Sequence, residues 1–460
     1  MGGYSGLRLT ASPLRSPVLA LAVALPIVFV HIRYQPSLVV GSGTKVTVTL
    51  ADLAILAVAL VTLAVAVRAR LRPLRTGLPL WVAGGVFLLY GIARAGNGTH
   101  LVSAVKFAEY GVLALAVPVL VRGRDELRLL LWTVALWSAV ASIVGLAQFF
   151  GAGLADGWGA GTRQPSFLGQ LDFAALSGMA LAAGLAGLAF GAGRVAGGDS
   201  GRERGAGLLV GITTVAGGLG LILSASVAAL AGVAVATAAV AVLAVRHRSL
   251  AVRPLAVGAV AVALVAAGTL ALRGGDLVQF TRFLGISQKV ESTTADVQTY
   301  SQRTVLVYIG WEVFKQHKAV GAGWGASADP TVFEPILPAA QRRFPDAAPL
   351  SFPSRENRWG VQNAYVQVLA DLGLVGALLL AATLLAGGWV AARSALARGG
   401  SGAPAGALAL SWALVTMGVW AALGLISGVP ADAALWLGLG LAAAAPALAA
   451  PAPTEGGTDA

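Results

Sequence analysis

Apolar runs of about twenty residues recur along almost the whole chain, and each is long enough to cross a bilayer core of roughly 30 Å. Isolated strands cannot satisfy their backbone groups in lipid, so these runs predict helices. The sequence therefore predicts an all-α integral membrane protein with about twelve spans. We place them at 17–33, 50–67, 78–94, 101–121, 129–150, 167–192, 206–223, 226–245, 255–272, 362–392, 404–427 and 431–449.

The composition excludes several other classes of protein. Hydrophobic residues make up 57% of the chain and charged residues only 11%, whereas soluble proteins carry roughly 25% charged residues. The absence of cysteine excludes disulfides and thiol chemistry, and the four histidines have no zinc-site spacing. No P-loop is present. We therefore predict no cofactor and no metal, and we predict no nucleic-acid partner despite the net charge of +12.

The basic residues predict the orientation of the spans. With the N-terminus in the cytoplasm, the inside loops and both tails hold seventeen Lys and Arg residues, and the short outside loops hold four. Cytoplasmic loops normally carry this excess. We therefore predict that both termini are cytoplasmic and that the long segment 273–361 lies outside.

The domain organisation follows from that segment. Residues 1–272 hold the first nine spans, 273–361 form an extracytoplasmic subdomain, 362–449 hold three spans, and 450–460 are a disordered tail. Within the subdomain, Val305, Leu306, Ile309 and Val313 recur at helical spacing and predict an amphipathic helix. That helix should end near Ala319, because Gly321, Gly323 and Gly325 follow.

Polar residues at the edges of the spans are the candidates for chemistry, and each has a structural alternative. Arg163 is an interfacial anchor or a functional cation, and Gln170 and Asp172 form a polar cluster at a helix start or line a site. Ser224 and Ser226 are better explained as caps of the following helix. Arg303 binds phosphate with its guanidinium or pairs with a carboxylate of the same loop.

The start of the tenth span carries an unusual polar stripe. Asn363, Gln367 and Asp371 are spaced four residues apart and share one helix face. A charge at the bilayer centre costs about 2.5–3.5 kcal/mol on insertion scales. The stripe therefore faces protein or a water-filled cavity. In the fourth span, Lys106 is predicted to pair with Glu109 one turn along the helix.

These pieces, in this order, resemble the O-antigen ligase and polymerase family of membrane glycosyltransferases. The resemblance covers roughly residues 130–430 and is carried by the following segments: TRQPSFLGQLDFAAL, LSAS, SQRTVLVYIGWEVFKQHKAVGAGWG and QNAYVQVLADLGLVGALLL. It implies a GT-C-type fold and an inverting, metal-independent transfer. The donor would be a glycan on an undecaprenyl (pyro)phosphate carrier, and the acceptor a hydroxyl group of a glycan or lipid, at the outer face of the cytoplasmic (inner) membrane.

The resemblance also implies roles for individual residues. Arg303, Gln362 and Asn363 would be catalytic, and Arg163 and Arg303 would bind the donor phosphates. A secondary polar lining would consist of Gln170, Asp172, Ser224, Ser226 and Gln367.

Two residues depart from the family pattern. Val227 follows the serine turn where ligases have an arginine, and Gln362 stands where they have a histidine. Glutamine cannot accept a proton as a base, so Glu312, Glu356 and Asp371 become candidates for that role. The alternatives are a divergent member with a non-catalytic assembly role and a transporter of lipid-linked glycans. The sequence does not indicate an oligomeric state.

Overall fold

Helices account for nearly all regular structure in the computed structural model, which describes residues 16–40, 46–191, 200–247, 252–283, 299–397, 402–424 and 430–449. The predicted tail at 450–460 lies outside the described residues. In chain order the helices are α1 (Val18–Val28), α2 (Leu50–Arg68), α3 (Leu78–Ala93), α4 (Gly98–Leu120), α5 (Arg124–Phe149), α6 (Gln170–Phe190), α7 (Ser200–Ser224), α8 (Val227–Arg246), α9 (Val252–Phe283), α10 (Thr299–Gln316), α11 (Pro330–Phe333), α12 (Leu337–Arg343), α13 (Ala364–Leu396), α14 (Ala403–Trp420) and α15 (Pro430–Ala449).

Within the described ranges, eleven helices are long and apolar enough to cross a membrane, one fewer than predicted. The difference is α1, which has only 11 residues and contains Pro26. At 1.5 Å per residue it covers roughly 16 Å, about half of the bilayer core. The predicted first span at 17–33 is therefore wrong in length. The α-helix ends at Val28, and a 3-10 helix, Ile32–Tyr34, follows after a short turn.

A short β-hairpin, which the sequence analysis did not predict, connects α1 to α2. Strands β1 (Ser37–Val40) and β2 (Val46–Thr49) are antiparallel, with Ser37 opposite Thr49. At its end, the Thr49 side chain accepts from the backbone N–H of Asp52, whose carboxylate accepts from Thr49 N. This capping box begins α2.

The Asp52 carboxylate also takes part in an ion pair that differs from the predicted one between Lys106 and Glu109. Lys106 of α4 contacts Asp52 at 2.7 Å, across the interface between the two helices. The predicted pair of Lys106 and Glu109 is thus extended to a group of three side chains, because Glu109 makes a side-chain hydrogen bond with Asp52 and also interacts electrostatically with Lys106.

The centre of the bundle consists of α6 and α15, which are buried along nearly their whole length, whereas α2, α3 and α9 expose most of theirs. Small residues allow this close packing, as is usual between helices in membranes. Gly217 of α7 leaves no room for a side chain against the backbone of Leu181 in α6. Gly232 of α8 and Gly418 of α14 meet backbone to backbone.

The segment 299–361 forms a small subdomain that packs on the start of α13. The predicted stripe is buried, with Val305, Leu306, Ile309 and Val313 at most 2% exposed. Three of these residues pack with Phe333, Ile336 and Ala340, which lie in or beside α11 and α12, and with Phe352, which follows a later 3-10 turn. The amphipathic helix is thus confirmed as α10, which ends at Gln316, three residues before the predicted stop.

Candidate functional site

Helix α13 is broken near its N-terminal end, and a loop of the subdomain fills the break. Gly373 has φ 66° and ψ −164°, which no helical residue adopts. The loop after α10 pairs with the four backbone groups that the break releases. Ala322 N and Gly323 N donate to Ala370 O and Asp371 O (2.9 and 2.8 Å), while Leu374 N and Val375 N donate to Lys318 O and Ala319 O (2.9 and 3.1 Å).

The glycines of this loop are needed for that contact. Gly321, Gly323 and Gly325 all have positive φ, and a side chain at Gly321 would overlap the backbone of Asp371. The loop is also attached to α3, since Arg94 donates to Gly321 O at 3.1 Å and Trp324 N donates to Arg94 O at 3.0 Å.

The Asp371 side chain is used to hold the same loop. Its Oδ2 accepts from Gly325 N at 3.1 Å and from Gln367 Nε2 at 3.0 Å, and its Oδ1 accepts from Ser327 N at 2.9 Å. The residue is 2% exposed. These three donors account for a carboxylate at this depth, in agreement with the structural explanation of the polar stripe.

Arg303 and Gln362 are brought together at the start of α13. Arg303 Nε donates to Gln362 Oε1 at 3.2 Å, and both side chains are partly buried. The predicted alternative, an ion pair of Arg303 with a carboxylate of its own loop, stays a prediction, because residues 284–298 of that loop lie outside the described residues.

Asn363 fixes the position of Gln362. It is the N-cap of α13, and its Oδ1 accepts from Val366 N at 3.0 Å. Its amide Nδ2 also donates to Ala421 O, just beyond the end of α14, at 3.1 Å. Gln367, one turn further on, lies with its Oε1 against Gly424. Asn363 therefore orients the neighbouring Gln362 and joins α13 to α14.

A second polar group surrounds the start of α6. Gln170 Nε2 donates to Ser224 O at 3.0 Å, and Asp172 Oδ1 accepts from Ala431 N, at the start of α15, at 2.7 Å. Ser226 caps α8 by accepting from Ala229 N at 3.2 Å, as predicted. Ser224 does not, because its hydroxyl donates to Leu221 O instead.

Arg163 lies in the loop before α6, with its guanidinium 4.8 Å from the centre of the Trp158 ring. The next residue, Gln164, donates its backbone N–H to Leu223 O at 2.8 Å, which places this loop beside the serine turn. The end of α14 and the start of α15 connect this region to the Arg303 region. Ala421 O accepts from Asn363 and Ala431 N donates to Asp172, while Trp420 Nε1 donates to Asp432 Oδ1 at 2.8 Å.

The other two carboxylates considered as bases are occupied by local contacts. Glu312 forms an ion pair with Lys315 at 2.6 Å, and nine residues at 100° each place it on the face of α10 opposite Arg303. Glu356 is exposed, and hydrogen bonds from its own backbone N–H and from Ser354 lower its pKa. A lowered pKa makes a carboxylate a weaker base.

The sequence analysis did not single out two further residues near this end of the bundle, Arg273 and His31. Arg273, at the C-terminal end of the apolar part of α9, is only 2% exposed. His31 donates its backbone N–H to Phe167 O at 3.2 Å. Burial, and next the positive charge of Arg33, lower the pKa of His31 below its usual 6.5.

Comparison with protein families agrees with the resemblance seen in the sequence. A family model described as O-antigen ligase matches residues 212–381, which run from within α7 to within α13. The matched part contains Arg303, Gln362, Asn363 and the break at Gly373. A comparison with curated proteins found no match. The many apolar helices show a multi-pass membrane protein, and the match shows that its segment 212–381 is similar to the O-antigen ligase family.

Proposed function

We propose that this protein transfers or polymerises a glycan carried on undecaprenyl (pyro)phosphate, with an acceptor hydroxyl group as the attacking nucleophile. The reaction would occur at the outer face of the cytoplasmic membrane, with the C-terminus inside and residues 273–361 outside. The predicted cytoplasmic N-terminus would also require the residues around α1 to complete a crossing, because its 11 helical residues cover only about half of the bilayer core. The match of residues 212–381 to the O-antigen ligase model supports a role in surface polysaccharide ligation or polymerisation. The unequal distribution of basic residues supports the orientation.

The contact between Arg303 and Gln362 is the observation that carries the proposal. A guanidinium has five donors in one plane and keeps its charge at any physiological pH. The bond from Nε to Gln362, 3.2 Å long, orients that plane beside the start of α13. The fixed cation lies next to Asn363, which attaches the Gln362 turn to α14. Such an arrangement suits the binding of a phosphate oxygen without reorganisation.

The proposed chemistry needs a stabilised leaving group more than a strong base. The acceptor oxygen bonds to the anomeric carbon as the bond from that carbon to the phosphate oxygen breaks. The phosphate oxygen keeps the electron pair, so negative charge accumulates on the lipid (pyro)phosphate, where Arg303 and Arg163 would stabilise it. The acceptor proton would pass to solvent, because Gln362 cannot take it and the contacts of Glu312, Glu356 and Asp371 favour structural roles for all three.

The test uses the purified full chain in lipid vesicles with a lipid-pyrophosphate-linked oligosaccharide, and product length is measured on gels. We expect Arg303→Ala to lower the rate about 10²–10³-fold, the usual cost of removing one donor to a developing anion. Arg303→Lys keeps the charge without the planar donor set and should retain part of the rate. Arg358→Gln is the matched control, since Arg358 is an exposed arginine of the same subdomain.

Three outcomes would contradict parts of the proposed function. Normal transfer by a correctly folded Arg303→Ala protein would remove this residue from the mechanism. No turnover by any form, with the lipid-linked donor still bound, would favour a non-catalytic assembly role. Loss of activity in EDTA, restored by a divalent cation, would contradict the metal-independent reaction. In addition, Gln362→His tests whether a histidine base increases the rate.

A further inference from the structure

Four arginines converge on one cavity at the opposite ends of the spans from Arg303. The cavity has a volume of about 490 Å³ and is lined by Arg68, Ala69, Arg70, Arg72, Pro73 and Arg122. Its position follows from α3, which begins at Leu78 beside this turn and ends next to Arg94, the residue bound to the Gly321 loop. Sixteen residues of α3 separate the two regions by roughly 24 Å.

The turn that carries three of these arginines has an unusual backbone. Arg70 and Leu71 both have positive φ, 51° and 56°, a conformation that costs free energy for residues other than glycine. It allows Leu71 N to reach back to Ala66 O at 2.8 Å and close the end of α2. It also directs the chain so that the side chains of Arg68, Arg70 and Arg72 line the same cavity. Strained residues that persist in this way often mark a functional segment.

The turn is also held firmly against the helix bundle. Thr76 Oγ1 donates to Ala443 O of α15 at 2.9 Å, and Trp81 Nε1 donates to Leu74 O at 2.8 Å. On the other side of the cavity, Arg122 Nε donates to Val119 O at 2.9 Å at the end of α4. The cationic groups are thus brought together by fixed elements from two parts of the chain.

Within the described residues, no carboxylate balances the charges of this cavity. Its lining contains no acidic residue. Across the described ranges, no ion pair joins any of these four arginines to a carboxylate. Like charges held together without a counter-ion favour binding of an anion, and guanidinium groups bind phosphate oxygens in bidentate fashion.

The surroundings of the cavity favour a lipid as the source of that phosphate. Arg68 ends one membrane-spanning helix and Arg122 follows another, so the cavity lies at the membrane boundary. Beside the arginines, Val67 and Leu71 are 61% and 53% exposed, and they offer an apolar surface to acyl chains. Basic pockets between helices on the cytoplasmic side commonly bind the headgroups of anionic lipids.

We propose that the Arg68, Arg70, Arg72 and Arg122 cavity binds the phosphate headgroup of an anionic phospholipid, with a two-phosphate headgroup such as that of cardiolipin preferred. With the orientation proposed above, this lipid belongs to the cytoplasmic leaflet. The site is separate from the proposed transfer reaction and does not depend on it. It exists whether or not the protein is catalytically active.

The experiment measures lipid retention by the full-length protein with native mass spectrometry in neutral detergent, using cardiolipin and, for comparison, phosphatidylcholine. We expect the wild type to retain cardiolipin, and Arg68→Gln/Arg70→Gln/Arg122→Gln to bind it at least about tenfold more weakly. The control is Arg75→Gln/Arg124→Gln/Arg393→Gln. It removes the same charge at the same ends of the spans from exposed arginines outside the cavity, and it should retain cardiolipin as the wild type does.

Several results would overturn the proposal. Equal losses in both triple variants would show only a general effect of positive charge at this face. Displacement of the lipid by millimolar inorganic pyrophosphate, or equal retention of phosphatidylcholine, would show that the cavity does not select an anionic lipid. If the cavity triple variant does not fold, the single variant Arg122→Gln, changed at an exposed side chain, replaces it, and unchanged cardiolipin retention there would also contradict the assignment.

Discussion

Replacing Asp371 should release the glycine loop of the subdomain from the broken helix. In Asp371→Ala, three buried donors lose their acceptor: Gly325 N, Ser327 N and Gln367 Nε2. Hydrogen bonds to a charged group contribute about 1.5–3 kcal/mol each, and a buried donor left unsatisfied costs about 1–3 kcal/mol. Some relaxation is expected, so the total loss should be about 3–6 kcal/mol.

The variant Asp371→Asn makes the prediction more specific. Its single carbonyl oxygen can replace Oδ2, which serves Gly325 and Gln367, but its amino group then faces the N–H of Ser327. We expect a loss of about 1.5–3 kcal/mol, centred on Ser327. Since about 1.4 kcal/mol corresponds to a factor of ten, the Ser327 amide should exchange with solvent about ten- to a hundredfold faster. The Gly325 amide should change less.

The assay is hydrogen–deuterium exchange followed by mass spectrometry with residue-level fragmentation of the segment 320–329. Thr383→Val is the control, because this buried residue lies deeper in α13 and its hydroxyl bonds only to Leu379 O, at 2.9 Å. It should leave exchange at 320–329 unchanged. If Asp371→Ala folds and the amides of Gly325 and Ser327 remain as protected as in the wild type, the anchoring role is refuted.

Three other perturbations test the packing of the bundle. Gly373→Ala should lower the free energy of unfolding in detergent by at least about 1–2 kcal/mol, because this residue has a positive φ. Overlap of the new side chain with the loop should add to that loss. Gly388→Ala is the control and should cause no loss, because a side chain there meets nothing within 4 Å. Lys106→Met should destabilise the protein by about 1–3 kcal/mol, because the partly buried Asp52 carboxylate loses its cationic partner. Adding Asp52→Asn should restore part of this loss, because it removes the remaining charge. His31→Gln should remove a loss of stability that the wild type shows as the pH falls below about 6.5, because the folded state binds that proton less readily than the unfolded state.

Specific results would contradict each of these expectations. Equal melting temperatures for the variants at Gly373 and Gly388 would mean that the break in α13 is not required. Additive losses at Lys106 and Asp52 would mean that the two side chains do not interact. An identical pH dependence of the melting temperature, with or without His31, would show that this imidazole does not titrate between the folded and unfolded states as described.

The parts of the fold that depend on local spacing were predictable. The buried stripe of α10 and the stop before Gly321 both follow from the order of neighbouring residues, and both are present. The cap at Ser226 follows in the same way. The spans were predictable because length and hydropathy alone decide them, although the proline in α1 and the turn after it shortened the first one.

Contacts between distant segments were not predictable in the same way. Lys106 has an acidic residue one turn away in sequence, yet its partner comes from α2, which only the packing of the bundle brings close. Gly373 looks like an ordinary small residue in an apolar run, because the loop that fills the break lies about fifty residues earlier. The contact between Arg303 and Gln362 likewise depends on how the subdomain packs on α13. The spacing of residues did not indicate it, whereas the family resemblance assigned both residues to one site.

The break at Gly373 moves the boundary of the membrane-embedded part of the chain. The piece from Leu374 to Leu396 lies wholly beyond the break in α13, and at 1.5 Å per residue it is about 35 Å long, enough to cross the bilayer alone. Its Leu378, Leu385 and Trp389 side chains are 69%, 74% and 68% exposed, as expected for a surface that faces lipid. The short piece before Gly373, with Asn363, Gln367 and Asp371, can therefore stay at the level of the headgroups. Hydrogen bonds join this piece to the glycine loop, so a displacement of either segment would have to break them or carry the other segment along.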